Sequence, residues 1–92
     1  MMKGKFHNKV VWITGASSGI GEEIAVQLAE KGAKIILSAR NAERLEAVRS
    51  SLKGDGHLVL PLDLEDSTIF HEKAKQVIER FGHIDVVVNN GG

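Results

Sequence analysis

Gly15, Ser17, Ser18, Gly19 and Gly21 lie in one seven-residue stretch, directly after the apolar run Val10-Val11-Trp12-Ile13-Thr14. Their types and spacing suit the binding of an anion. Glycine at 15 permits a tight turn at the end of a strand, and glycine at 19 lets the main chain approach a pyrophosphate closely. Gly21 leaves room for a following helix to pack against the sheet. A helix starting near Ile20 would point its free N–H groups and the positive end of its dipole at the ligand. The hydroxyls of Ser17 and Ser18 are further donors. A strand, a glycine-rich turn and a helix in this order describe a nucleotide-binding βα unit; a plain strand–helix connection is the alternative.

Other chemistries find few residues to use. The chain has no cysteine and no tyrosine, so it offers neither a thiolate nor a phenolic acid. The histidines at 7, 57, 71 and 83 show no His-x-x-x-His spacing, which argues against a metal site and reads them as surface or loop residues. Trp12, in mid-strand, reads as core, and Glu43, Arg44, Glu46 and Arg49 read as a wet helix face. Twelve basic and twelve acidic residues cancel, leaving no field that favours nucleic acid or an anionic membrane. The N-terminus is polar and the apolar runs fall far short of the roughly 20 residues a bilayer needs, so neither a leader nor a span is predicted. Together with the lack of cysteine this suggests a cytoplasmic location.

The elements that would position the turn can be read from periodicity. At 92 residues, 42% hydrophobic and 26% charged, the chain has the balance of one globular domain or part of one. Strands are predicted at Lys9 to Thr14, Lys34 to Ser38, Leu58 to Leu62 and Ile84 to Asn89. Between them lie three helices. The first runs from Gly19 or Ile20 to Lys31, with Ile20, Ile24, Ala25, Leu28 and Ala29 on one face and Gly32 as its stop. The second is capped by Asn41 and carries Leu45, Val48 and Leu52. The third starts at Asp66 or Ser67 and ends at Phe81, with a stripe of Phe70, Ala74, Val77, Ile78 and Phe81.

Strands separated by single helices imply βαβ units and a parallel sheet. Pro61 lacks a backbone donor and belongs at a sheet edge, which puts the third strand outermost. The predicted fold is therefore α/β, the N-terminal part of a Rossmann-type doubly wound parallel sheet with strand order 3-2-1-4. Helices 1 and 2 would cover one face and helix 3 the other. The order reverses between strands 1 and 4, so their C-terminal ends flank a ligand crevice. The glycine-rich turn forms one side of it and Asn89-Asn90-Gly91-Gly92 the other.

The choice of cofactor rests on the end of strand 2. Dinucleotide sites that prefer NAD carry an acid there, about 20 residues past the glycine turn, to hold the ribose 2′-hydroxyl. Here the sequence is Ser38-Ala39-Arg40. An arginine can pair with a 2′-phosphate through a charge-assisted fork, and the small neighbours introduce no repulsion. NADP(H) is therefore predicted over NAD(H), with a solvated Arg40 as the alternative.

Thr14-Gly15-Ala16-Ser17-Ser18-Gly19-Ile20-Gly21 resembles the TGxxxGxG motif of the classical short-chain dehydrogenases/reductases. Asp63-Leu64 resembles the acidic position and its neighbour that contact the adenine ring in that family, although Asp63 could also simply cap the strand. Asn89-Asn90-Gly91-Gly92 resembles the family's NNAG motif, with glycine for alanine at 91. For Asn89 and Asn90 two roles stay open, fixing the loop after strand 4 or touching cofactor. Leu-Val-Leu-Pro-Leu-Asp-Leu together with NNGG is similar to the member 7 branch of the family.

The resemblance implies an NADP(H)-dependent carbonyl reductase or alcohol dehydrogenase acting on a small carbonyl or alcohol. It implies cofactor contacts from Gly15, Ser17, Ser18, Gly19, Ile20, Gly21, Arg40, Asp63, Leu64, Asn90 and Gly91, and a homo-oligomeric parent. It covers about the first third of a typical member. The family's catalytic serine, tyrosine and lysine lie downstream of the matched motifs, so no catalytic residue is assigned. Residues 1–92 read as the N-terminal portion of an NADP(H)-binding Rossmann domain, inactive alone. Two rival readings are a stand-alone dinucleotide-binding module and an interaction fragment that associates through Val86-Val87-Val88 on an exposed strand 4.

Overall fold

The computed structural model describes residues 4–17, 19–63 and 67–90. In chain order it contains β1 (Val10–Thr14), α1 (Gly19–Glu30), β2 (Lys34–Ser38), α2 (Ala42–Ser51), β3 (Leu58–Val59), α3 (Ser67–Phe81) and β4 (Val86–Asn89). The strands form one parallel sheet in the order β3-β2-β1-β4, as the alternating pattern and Pro61 predict.

Two-residue periodicity along β1 and β2 divides the apolar side chains between two cores. Val11, Ile13, Ile35 and Leu37 meet Ala25 and Ala29 of α1 and Leu45 and Val48 of α2. On the other face, Val10, Trp12 and Ile36 meet Val77 of α3, with Phe70, Ala74 and Phe81 packed around them. Helices 1 and 2 thus share one face of the sheet and helix 3 has the other. Trp12 is fully buried and stacks on Phe70 at 4.7 Å between ring centroids. Its Nε1–H donates to Ser38 Oγ at 2.7 Å, and that hydroxyl donates to the Leu60 carbonyl at 2.7 Å.

Caps place the helix ends where the sequence puts them. Asn41 Oδ1 accepts the Arg44 N–H at 3.0 Å at the start of α2. The end of α1 is closed by two backbone bonds, Ala33 N–H to the Leu28 carbonyl and Gly32 N–H to the Ala29 carbonyl, the paired pattern of a Schellman motif. Ser67 opens α3; Asp66, the other predicted cap, lies outside the described residues.

Three strands are shorter than predicted, β1 by Lys9 alone and β3 and β4 each for a local reason. Beyond Val59 the chain stays attached to β2 through alternate donors, Leu60 N–H to the Leu37 carbonyl and Leu62 N–H to the Ala39 carbonyl. Pro61, between them, occupies the outward-facing position where no donor is needed. At the start of β4 the Asp85 carboxylate takes the Val10 N–H at 2.7 Å. Asp85 keeps one backbone bond to β1, its own N–H to the Val10 carbonyl at 2.9 Å, and regular pairing begins one residue later, at Val86.

Two apolar residues of the helix stripes lie exposed, and one loop histidine is buried. Ile20, on the apolar face of α1, is 70% exposed; it stands on the first turn of the helix, next to the open space at Gly19. Ile78 is also exposed, leaving Val77 as the fully buried member of the α3 stripe. His57 lies in the loop between α2 and β3, as expected, and is buried there. Its Nδ1 accepts the Ile35 N–H at 3.0 Å and its Nε2 bonds the Lys53 carbonyl at 2.7 Å, so Nε2 carries the proton. The Ile35 N–H points toward the β3 side just before β3 begins, and the imidazole serves as its partner.

Candidate functional site

Strand register brings the predicted site to one edge of the sheet. Thr14 of β1 stands level with Ser38 of β2 and with Asn89 of β4. The segments that follow these residues, at 15–17, 39–40 and 90, therefore emerge together. The Leu62–Ala39 bond carries the chain after β3 to the same edge, where Asp63 and Arg40 are both exposed.

At the centre of this edge the loop after β4 is fastened to the turn after β1. The Thr14 hydroxyl accepts the Asn90 N–H at 3.1 Å and lies within donor range of Asn89 Oδ1, at 3.1 Å, and of the Val88 carbonyl, at 3.3 Å. The Asn90 side-chain amide donates to the Gly15 carbonyl at 3.3 Å. These bonds are of the loop-fixing kind, one of the two roles open to Asn90. The Ala16 N–H is held from the other side by the Ser38 carbonyl at 3.1 Å.

Two glycines have requirements that can be stated. A Cβ on Gly21 would lie 2.3 Å from the Gly15 carbonyl oxygen and 2.8 Å from Asn90 Nδ2, so the helix can approach the turn only without a side chain. The neighbour it makes room for is therefore the turn itself, together with Asn90. Gly19 is different. Its φ is +61° and no heavy atom stands within 4 Å of the Cβ position, so the backbone there adopts a left-handed conformation beneath open space. An open backbone at the first turn of a helix fits the approach of a phosphate.

Of the other predicted residues, Ser17 is half-buried, Ile20 is exposed, and Ser18, Leu64 and Gly91 lie outside the described residues. The sequence reading missed two contributors. Thr14 entered it only as part of a motif, yet its hydroxyl joins β1 to the loop after β4. Arg44, read as part of a wet helix face, donates from Nε to the Ser17 carbonyl at 2.7 Å. Neither contact has a signature in local spacing, since the partners are 76 and 27 residues apart. Among the described residues no group of three or more His, Asp or Glu side chains could hold a metal ion, and no helix is long and apolar enough to cross a membrane.

Comparison with known proteins agrees with this arrangement. Residues 9–92 match the model of the short chain dehydrogenase family. Dehydrogenase/reductase SDR family member 7 of Mus musculus is 52% identical over 89 residues, a match covering 90% of this chain and 26% of that protein. Among solved structures, a short chain dehydrogenase from Salmonella enterica superposes over the whole chain with a TM-score of 0.91 at 29% identity, covering 40% of that protein. A metagenomic short-chain oxidoreductase solved in complex with NADP matches 95% of this chain, and 40% of its own, at 35% identity and a TM-score of 0.83. The chain thus spans between a quarter and two fifths of the length of these relatives. Its fold, its glycine-rich turn and its similarity over nearly every residue place it in one family: the chain belongs to the short-chain dehydrogenases.

Proposed function

We propose that residues 1–92 are the cofactor-binding portion of an NADP(H)-dependent short-chain oxidoreductase that interconverts carbonyls and alcohols. The observation that carries this reading is the turn itself. A left-handed Gly19 beneath open space begins α1, while Gly21 and Asn90 close against the Gly15 carbonyl. On this reading Gly15, Ser17, Ser18, Gly19, Ile20 and Gly21 border the pyrophosphate and the ribose next to it. Asp63 and Leu64 border the adenine, and Asn90 and Gly91 form the far wall. Bound cofactor would supply the hydride. The chain contains no tyrosine and so none of the phenolic proton donor that the family's reaction uses, which makes the 92-residue chain inactive alone. The same reading carries a homo-oligomeric parent enzyme in the cytoplasm, on the strength of the family resemblance and the absence of cysteine.

Preference for NADP(H) rests on Arg40, exposed at the edge where Asp63 also emerges, and on the similarity to an oxidoreductase solved with NADP. Replacing it tests the assignment. Arg40→Ala should lower affinity for NADP⁺ by about tenfold or more, the scale of a charge-assisted hydrogen bond, and leave affinity for NAD⁺ nearly unchanged. Equal affinity ratios in the two proteins would sink the assignment.

A second reading has its own observation. β4 is an edge strand, and its Val86 and Val87 are 37% and 49% exposed. Such an edge can pair with another strand. If association is the chain's function, light scattering will show a mass that rises with concentration, and Val87→Lys will abolish the rise. A monomer at all concentrations would remove this reading.

A further inference from the structure

We propose that Arg44 is a positioning residue that holds the glycine-rich turn in its anion-accepting shape. The inference rests on the reading of that turn as a pyrophosphate cradle and adds a residue that does not itself line it. Arg44 lies on the first turn of α2, where its own N–H is fixed by the Asn41 cap at 3.0 Å. From this fixed base its Nε donates to the Ser17 carbonyl at 2.7 Å, and its Nη2 stands 3.7 Å from Glu22 Oε2. One side chain from α2 therefore touches both the turn and the first turn of α1.

Both contacts act on the same electrostatic difficulty. A carbonyl oxygen and a carboxylate beside an anion site each disfavour the anion. Arg44 places a cation against both. The contacts also act on a conformational one. Gly15 and Gly19, with φ of +64° and +61°, have many backbone states to lose on binding, and a ligand that must order them binds less tightly. A guanidinium on the carbonyl between them restricts those states beforehand. Arg40 differs in kind, since it is assigned to the 2′-phosphate and so to only one of the two dinucleotides.

Amide hydrogen exchange followed by NMR tests the role without needing cofactor. In Arg44→Ala, amides between Gly15 and Gly21 should exchange roughly fivefold faster, the scale of a half-exposed charged contact, while those of β1 and β2 keep their rates. Arg44→Lys should recover at least half of the lost protection, because the lysine ammonium lies one bond beyond the position of Nε and reaches the same carbonyl. In calorimetry, Arg44→Ala should weaken NADP⁺ and NAD⁺ by the same factor. Unchanged exchange in the turn would overturn the proposal, and so would acceleration spread evenly through the sheet. Loss of affinity for NADP⁺ alone would make Arg44 a phosphate contact and also overturn it. Faster exchange confined to the turn in a chain that binds neither dinucleotide would uphold the positioning role and refute the cradle.

Discussion

The Asn90 side-chain amide donates to the Gly15 carbonyl across 3.3 Å, so the loop after β4 rests on the turn after β1. Gly21 lies directly behind this contact: a Cβ there would meet both partners. The crevice at the reversal of strand order is therefore built as a unit, in which the strand end, the turn, the helix start and the far loop fix one another.

Gly21→Ala should break that unit. Alanine is favoured over glycine in a helix by about 1 kcal/mol. Against this, a Cβ 2.3 Å from a backbone carbonyl oxygen demands a shift of the kind that costs about 1–3 kcal/mol. The clash involves backbone and should prevail, giving a net loss of stability in urea unfolding and a loss of dinucleotide affinity. A variant more stable than the parent would show that the helix and turn are not in contact.

Thr14→Val should loosen the loop after β4. The substitution keeps the shape of a residue that is almost wholly buried and removes the acceptor of the Asn90 N–H. Leaving that donor unpaired should cost about 1–2 kcal/mol. Thr14→Ser, which keeps the hydroxyl, should retain most of the bond energy, and urea unfolding of the two variants checks the difference.

Ser38→Ala removes the link between β1 and the segment after β3. It leaves the buried Trp12 indole N–H and the Leu60 carbonyl without the hydroxyl that joins them, at a cost of about 2 kcal/mol. Fluorescence of Trp12, the chain's one tryptophan, reports the unfolding. Ser50→Ala is the control. Ser50 Oγ bonds an exposed carbonyl on its own helix, and its loss should change stability by about 0.5 kcal/mol or less.

Acid should weaken the pairing of β1 with β4. The hydrogen bond from the Val10 N–H is the main cause that holds the Asp85 carboxyl below its usual range; His83 and Lys9 add to the effect and desolvation opposes it. A carboxyl lowered in the folded state stabilises the fold above its unfolded pKa of about 3.9. That contribution is lost as pH falls from there through the folded value. Denaturation midpoints measured from pH 6 downward should fall in this window, and Asp85→Asn should remove this component of the fall. An identical pH profile in the variant would show that Asp85 carries none of it.

The fold was legible because its signals are local. Val10 to Thr14, Lys34 to Ser38, the Asn41 cap and Pro61 each declare a strand, a cap or an edge within a few residues. The glycine spacing likewise declared the turn. What escaped the sequence reading are contacts between elements remote in the chain. Thr14 with Asn90 and Arg44 with Ser17 have no period, and the Ile35 N–H meets His57 because β3 starts only opposite Ile36. Periodicity also marks a helix face without saying how far its cover extends, so Ile20 and Ile78 share the apolar stripes of α1 and α3 and lie exposed.

Calorimetric titration of the 92-residue chain with NADP⁺ and, separately, with NAD⁺ tests the central claim most directly, once light scattering has shown the chain to be monodisperse. Saturable binding of NADP⁺, tighter than that of NAD⁺, is expected, with a ratio that collapses in Arg40→Ala. A folded, monodisperse chain that binds neither dinucleotide would contradict it.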